Sequence, residues 1–252
     1  MGASLVQKIV FELCAESVEA CLAAHDGGAH RIELCTALSE GGLTPSHGLI
    51  RAAIAMSRLP VHVLLRPRSG DFLYTTAELE VMREDLKYAR ALRANGVVVG
   101  FLHADGNVDV ERTREFVALA SPLEVTFHRA FDYAASHEQA LEDVIATGCR
   151  RVLTSGGERD VVRGAKALAL LVKQAAGRID IAVGGGLRLN NAAGVARVTG
   201  AQHFHGSLRR RVASPMRYKR PGMLENDGAL TETRVAVKSG DIRQMIENLS
   251  NP

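Results

Sequence analysis

Two short stretches of this chain carry the same chemistry-bearing residues. One reads Phe11-Glu12-Leu13-Cys14 and the other Ile32-Glu33-Leu34-Cys35. Each closes a short apolar run that reads as a buried strand. Between them lie a helical segment capped by Ser17 and the Gly27-Gly28 pair, so the whole reads as a βαβ unit. Side chains alternate along a strand, so Glu12 and Cys14 share a face of the first strand and Glu33 and Cys35 share a face of the second, and all four could gather at one mouth of the sheet. Equivalent residues of neighbouring parallel strands are expected side by side. Two carboxylates suit acid–base work. Two thiols suit a soft metal ion.

The elements that must position these groups repeat along the chain. Strands are predicted at 7–14, 30–35, 61–66, 96–102, 123–128, 150–154, 179–183 and 202–206. Helices follow each of the first seven, and a last helix spans about 241–249. The long helix opened by Thr76 shows Leu79, Met82, Leu86 and Ala89 at helical spacing. Strict alternation of helices with continuous Val/Ile/Leu strands implies a parallel sheet covered by helices. Eight such units in 252 residues fit an α/β (β/α)8 TIM barrel, read as a single domain with its core at about 7–208. An open dinucleotide-binding sheet is disfavoured because no Gly-x-Gly-x-x-Gly turn follows the first strand. Residues 208–238 read as irregular and polar.

In such a barrel the site lies at the C-terminal ends of the strands. The polar residues there are Glu12, Cys14, Glu33, Cys35, Arg66 with Arg68 and Asp71 just beyond, His103, His128, Arg129, Asp132, Thr154, Ser155, His205 and Ser207. A lone cysteine is usually a small buried hydrophobe, and a lone histidine can simply bond a backbone carbonyl. Glu12 and Glu33 can simply pair with Arg66. As a set, these groups point to a polar site. If the chain is an enzyme, Glu12, Glu33 and His128 are the acid–base groups and Arg66 holds an anion. Gly184-Gly185-Gly186 and Gly206-Ser207 follow the last two strands, where backbone amides can approach a phosphate. None of the six lysines stands at a strand end, which disfavours a Schiff-base mechanism.

Bulk properties narrow the class. Hydrophobic residues make up 46% and aromatics 4%, so the core is aliphatic. A net charge of +3 is too weak to imply nucleic acid, and it suits a small anionic ligand. The run Arg209-Arg210-Arg211 with Arg217, Lys219 and Arg220 reads as a solvated loop. No signal-peptide pattern, myristoylation motif or membrane-length apolar run is found. Cys14, Cys21, Cys35 and Cys149 are therefore expected as reduced thiols in a cytosolic protein, with Cys21 and Cys149 structural.

Several segments together resemble the CutC family of copper homeostasis proteins. They are Glu33-Leu34-Cys35, the run from Ser39 to Ser46, Arg66-Pro67-Arg68-Ser69-Gly70-Asp71-Phe72 with Tyr74, Thr126 to Asp132, Leu153 to Gly157, and Gly184 to Gly186. The family loop usually has Gly where Ser69 stands, and the region beyond residue 208 matches poorly. The resemblance implies a (β/α)8 barrel, a cytoplasmic location, frequent self-association as a homo-oligomer, and Cu(I) bound by two cysteines matching Cys14 and Cys35. An uncharacterised enzyme acting on a small phosphorylated or carboxylated substrate is the alternative.

Overall fold

A computed structural model describes residues 9–218 and 233–252. Eight parallel strands close into a barrel in sequence order. They are β1 (Val10–Ala15), β2 (Arg31–Leu34), β3 (Val61–Leu64), β4 (Gly96–Val99), β5 (Glu124–Phe127), β6 (Arg151–Thr154), β7 (Asp180–Gly184) and β8 (His203–Gly206). The outer ring is α1 (Val18–Gly27), α2 (His47–Ser57), α3 (Thr76–Ala91), α4 (Val110–Ala120), α5 (His137–Thr147), α6 (Ala165–Ala175), α7 (Ala192–Thr199) and α8 (Ser239–Ser250). Predicted residues 7 and 8 of the first strand lie outside the described residues, as do Lys219 and Arg220.

Local chemistry sets the helix starts. Ser17, Ser46, Asp109 and Ser136 each accept a backbone N–H of the first turn. Thr75 does the same for α3 and forms a reciprocal capping box with Glu78, so that helix begins with a cap one residue before the expected Thr76. Two predicted boundaries shift for visible reasons. β4 stops at Val99, and Leu102 instead bridges Val108 in its own loop. α6 starts at Ala165 rather than near Asp160, because Asp160 accepts the N–H groups of Val162 and Arg163 in a turn.

The segment expected to be irregular after residue 208 contains order. Strands β9 (Arg210–Ala213) and β10 (Thr233–Ala236) pair antiparallel outside the barrel. The basic run is used locally: Arg209 pairs with Glu16, and Arg210 with Asp241 of α8. After this excursion α8 packs between α7 and α1 and completes the outer ring. Ile242 is fully buried there, and Gly27 lies so close that an added Cβ would sit 2.6 Å from the Ile242 Cβ.

Outward-facing strand residues (Phe11, Leu13, Ile32, Leu34, Val61, Val63 and their equivalents) meet the helices in one continuous apolar shell. Inward-facing residues stack in layers from alternate strands. The strand registers place Arg31, Gly96, Arg151 and His203 lowest among four successive layers. Glu12, His62, Thr126 and Ala182 come next, then Glu33, Val98, Leu153 and His205, then Cys14, Leu64, His128 and Gly184 at the mouth. The barrel centre is therefore polar through most of its depth.

Ile242→Ala removes a fully buried side chain from the helix that seals the ring. It is expected to cost about 2–5 kcal/mol of stability, measured as a lowered urea midpoint with little change in slope.

Candidate metal centre at the barrel mouth

The repeated Glu-Leu-Cys does not place equivalent residues side by side. The barrel's stagger pairs Cys14 with Glu33 and Glu12 with Arg31, a shift of two residues. The four groups thus occupy different depths. Cys35 follows β2 one step above Cys14, and Glu12 lies deepest.

Cys14 is the hub. Its Sγ stands 3.6 Å from Cys35 Sγ and 3.5 Å from Glu33 Oε1, which accepts the thiol hydrogen bond. Cys14, Cys35, Leu64 and Val98 form a small buried apolar cluster with Leu38 against it. Hydrogen bonding to Cys35 and burial together push the Cys14 thiol well above its ordinary pKa. One donor atom each from Cys14, Glu33 and His205 lies within 4.8 Å of the others.

Below the thiols runs an ionic chain. His205 Nδ1 donates to Glu12 Oε1 at 2.8 Å, and Arg31 Nε donates to Glu12 Oε2. Burial raises the Glu12 carboxyl, but Arg31 and His205 outweigh it and hold the group well below the usual carboxylate range. His205 is moved the other way: burial lowers it, and Glu33, Cys14 and Glu12 together carry it well above an ordinary imidazole. Burial raises Glu33, whose Oε2 has no partner among the described residues.

The remaining predicted site residues sit elsewhere in the mouth. Arg66 is buried, and its Nη groups donate to the carbonyls of Glu40, Gly42 and Gly70. It thereby ties the loop after β2 to the loop after β3. His128 caps the short 3-10 turn Arg129–Tyr133, with Nδ1 accepting the Ala130 N–H at 3.1 Å. Its ring lies over Gly100, where a Cβ would fall 2.4 Å from Nδ1. Asp132 accepts from Thr154 Oγ1, from Ser155, and from the Gly157 N–H, pinning the loop after β6. Gly184 faces inward beside His205, and a Cβ there would stand 2.9 Å from His205 Cβ. Gly185 and Gly186 carry positive φ of 105° and 73° and pack on Ser155 and Asp160. Gly206 is buried at the end of β8, and Ser207 follows it, half-buried. Cys21 and Cys149 are buried away from the C-terminal strand ends, in α1 and just before the start of β6.

Sequence reasoning missed Arg31 as the partner of Glu12, assigning that part to Arg66. It placed His205 at a strand end without giving it a role. The missing signal was parity: Arg31 and Glu33 share a face of β2, as do His203 and His205 on β8.

Fold and site together define a (β/α)8 barrel whose mouth gathers two thiols, a carboxylate and an imidazole above a buried ionic chain. The chain belongs to the CutC family, whose sequence model matches residues 9–210. A CutC family protein from Chromobacterium violaceum is 47% identical over 241 residues, covering 95% of this chain and 98% of that protein. The solved structure of a CutC from Streptococcus agalactiae, assigned provisionally to copper homeostasis, is 32% identical with a TM-score of 0.75. It covers 79% of this chain and 98% of its own. A thiamine phosphate pyrophosphorylase from Pyrococcus furiosus shares the fold at 17% identity, with a TM-score of 0.57 over 98% of this chain and 96% of its own.

Burial, reinforced by the Arg66 charge, brings the His128 pKa down to about 3. The unfolded imidazole takes up a proton near 6.5. Stability from this group is whole above pH 6.5 and is lost as the pH falls below it, by roughly 2 kcal/mol at pH 5. Urea midpoints taken between pH 7.5 and 5 are expected to fall less steeply in His128→Asn than in the parent protein.

Proposed function

We propose that this chain binds Cu(I) through Cys14 and Cys35 and serves copper homeostasis in the cytosol, working as a homo-oligomer. The observation that carries the reading is the 3.6 Å separation of two buried thiols inside an apolar collar. Cu(I) is a soft ion that thiolates select, and binding displaces the thiol protons. Leu64, Val98 and Leu38 keep hard oxygen ligands away from one side of the pair. The family relationship and the copper homeostasis assignment of the Streptococcus agalactiae structure support the same reading.

The enzyme alternative has fewer free groups to work with. Glu12 is engaged by Arg31 and His205, and the Arg66 Nη groups are spent on loop carbonyls. Glu33 Oε2, Arg66 Nε and His128 Nε2 lack partners among the described residues, and with the glycine loops after β7 and β8 they are what a small anionic substrate would have to use.

In an anaerobic titration against a chromophoric Cu(I) chelator, the parent protein is expected to withdraw one equivalent of copper. The Cys14→Ser/Cys35→Ser variant is expected to withdraw none. Equal affinity in the two proteins would refute the dithiolate reading.

A further inference from the structure

Cys14 has a second set of neighbours, different in chemistry from Cys35. Glu33 lies on the adjacent strand β2 and His205 on the other adjacent strand, β8, so both flank Cys14 from one layer below. A sulfur, an oxygen and a nitrogen donor converge there within 4.8 Å of one another. Two further observations point to a ligand. Glu33 is 5% exposed, and its Oε2 lacks a partner among the described residues. His205 is held from behind: Nδ1 donates to Glu12, which Arg31 fixes in turn, so Nε2 is the nitrogen that can ligate once an incoming metal ion displaces its proton. A carboxylate behind a histidine is the usual support for a metal-bound imidazole.

We propose that Cys14, Glu33 and His205 form a second metal site, suited to Zn(II), that shares Cys14 with the Cys14–Cys35 pair and excludes its simultaneous use. A mixed S, O, N set with one position left open matches zinc, whose bonds run about 2.3 Å to sulfur and about 2.0–2.2 Å to nitrogen and oxygen. Tetrahedral zinc sets its donors roughly 3.3–3.8 Å apart; Cys14 Sγ and Glu33 Oε1 already stand at 3.5 Å, and no pair of the three exceeds 4.8 Å. Hard Glu33 has no use for Cu(I) but serves a divalent ion well. Glu12 touches no metal in this arrangement and acts as a positioning residue for His205. The Zn(II) ligand set stands apart from the copper reading, because Glu33 and His205 take no part in that pair; only the mutual exclusion rests on it.

The test uses purified full-length protein, reduced and metal-free, with Zn(II) delivered against a chromophoric chelator and Cu(I) titrated separately under anaerobic conditions. The parent is expected to bind one Zn(II), and prior loading with Cu(I) is expected to prevent it. Glu33→Gln and His205→Asn are expected to lose stoichiometric Zn(II) while keeping Cu(I). Cys35→Ser is expected to do the reverse, and Cys14→Ser to lose both. Glu12→Gln is expected to weaken Zn(II) by about 10–100-fold and leave Cu(I) affinity unchanged, which a general loss of folding would not do. Zinc-edge X-ray absorption of the parent protein keeps the question open to test if variants fail to fold. One sulfur with nitrogen and oxygen ligands supports the site, whereas two sulfurs overturn it. Stoichiometric Zn(II) retained in Glu33→Gln, Zn(II) bound alongside Cu(I), or no Zn(II) bound by the parent would each overturn it as well.

Discussion

A carboxylate that is 1% exposed stays ionised only if its neighbours replace the water it has lost. Glu12 meets that condition through Arg31 on one side and His205 on the other. The interaction is a constraint more than a source of stability. Buried pairs gain little over well-packed apolar residues, yet removing one partner costs about 3–5 kcal/mol. Each member therefore dictates the others. Arg31 must enter the barrel from the base of β2, Glu12 must sit in the next layer, and His205 must turn one nitrogen down and the other up. The orientation of the imidazole at the mouth is decided by charges a layer beneath it.

The interior continues this logic downward. Arg151 bonds Thr126 and Glu124, and His62 is held neutral, with burial taking its pKa to about 4. Rings as large as imidazole fit inside a narrow barrel only where a neighbour gives up its side chain. Gly100 makes room for His128 and Gly184 for His205. Part of what looks like a flexible phosphate-binding run is thus a steric allowance for a histidine. The loops above are clamped by charged groups, Arg66 through three carbonyls and Asp132 through two backbone N–H groups and two hydroxyls. The mouth is consequently built of committed side chains, and the uncommitted atoms stand out by contrast.

Much of the barrel was legible in the sequence because its signals are local. The caps Ser17, Ser46, Asp109 and Ser136, the aliphatic strands and the glycine stops are each set within a few residues. The β9–β10 pair was not legible, because its polar strands carry no hydrophobic alternation and their partners lie twenty residues apart. The site was legible in membership but not in pairing. Glu12, Cys14, Glu33 and Cys35 could be assigned to inward faces by parity alone. Which of them touch depends on the shear of the closed sheet, a property of all eight strands together that no single strand encodes. Hence Arg66 was the natural guess for the partner of Glu12, while the true partner lay inside the repeated motif's own strand.

The same stagger sorts the donors by depth. From Cys35 through Cys14 to Glu33 and His205 the atoms change from sulfur to oxygen and nitrogen, that is from soft to hard. Equivalent residues of the two copies, which a flat unstaggered pair would set level, are thereby spread over successive layers. A duplicated sequence motif wound on a staggered cylinder has become a graded series of donors.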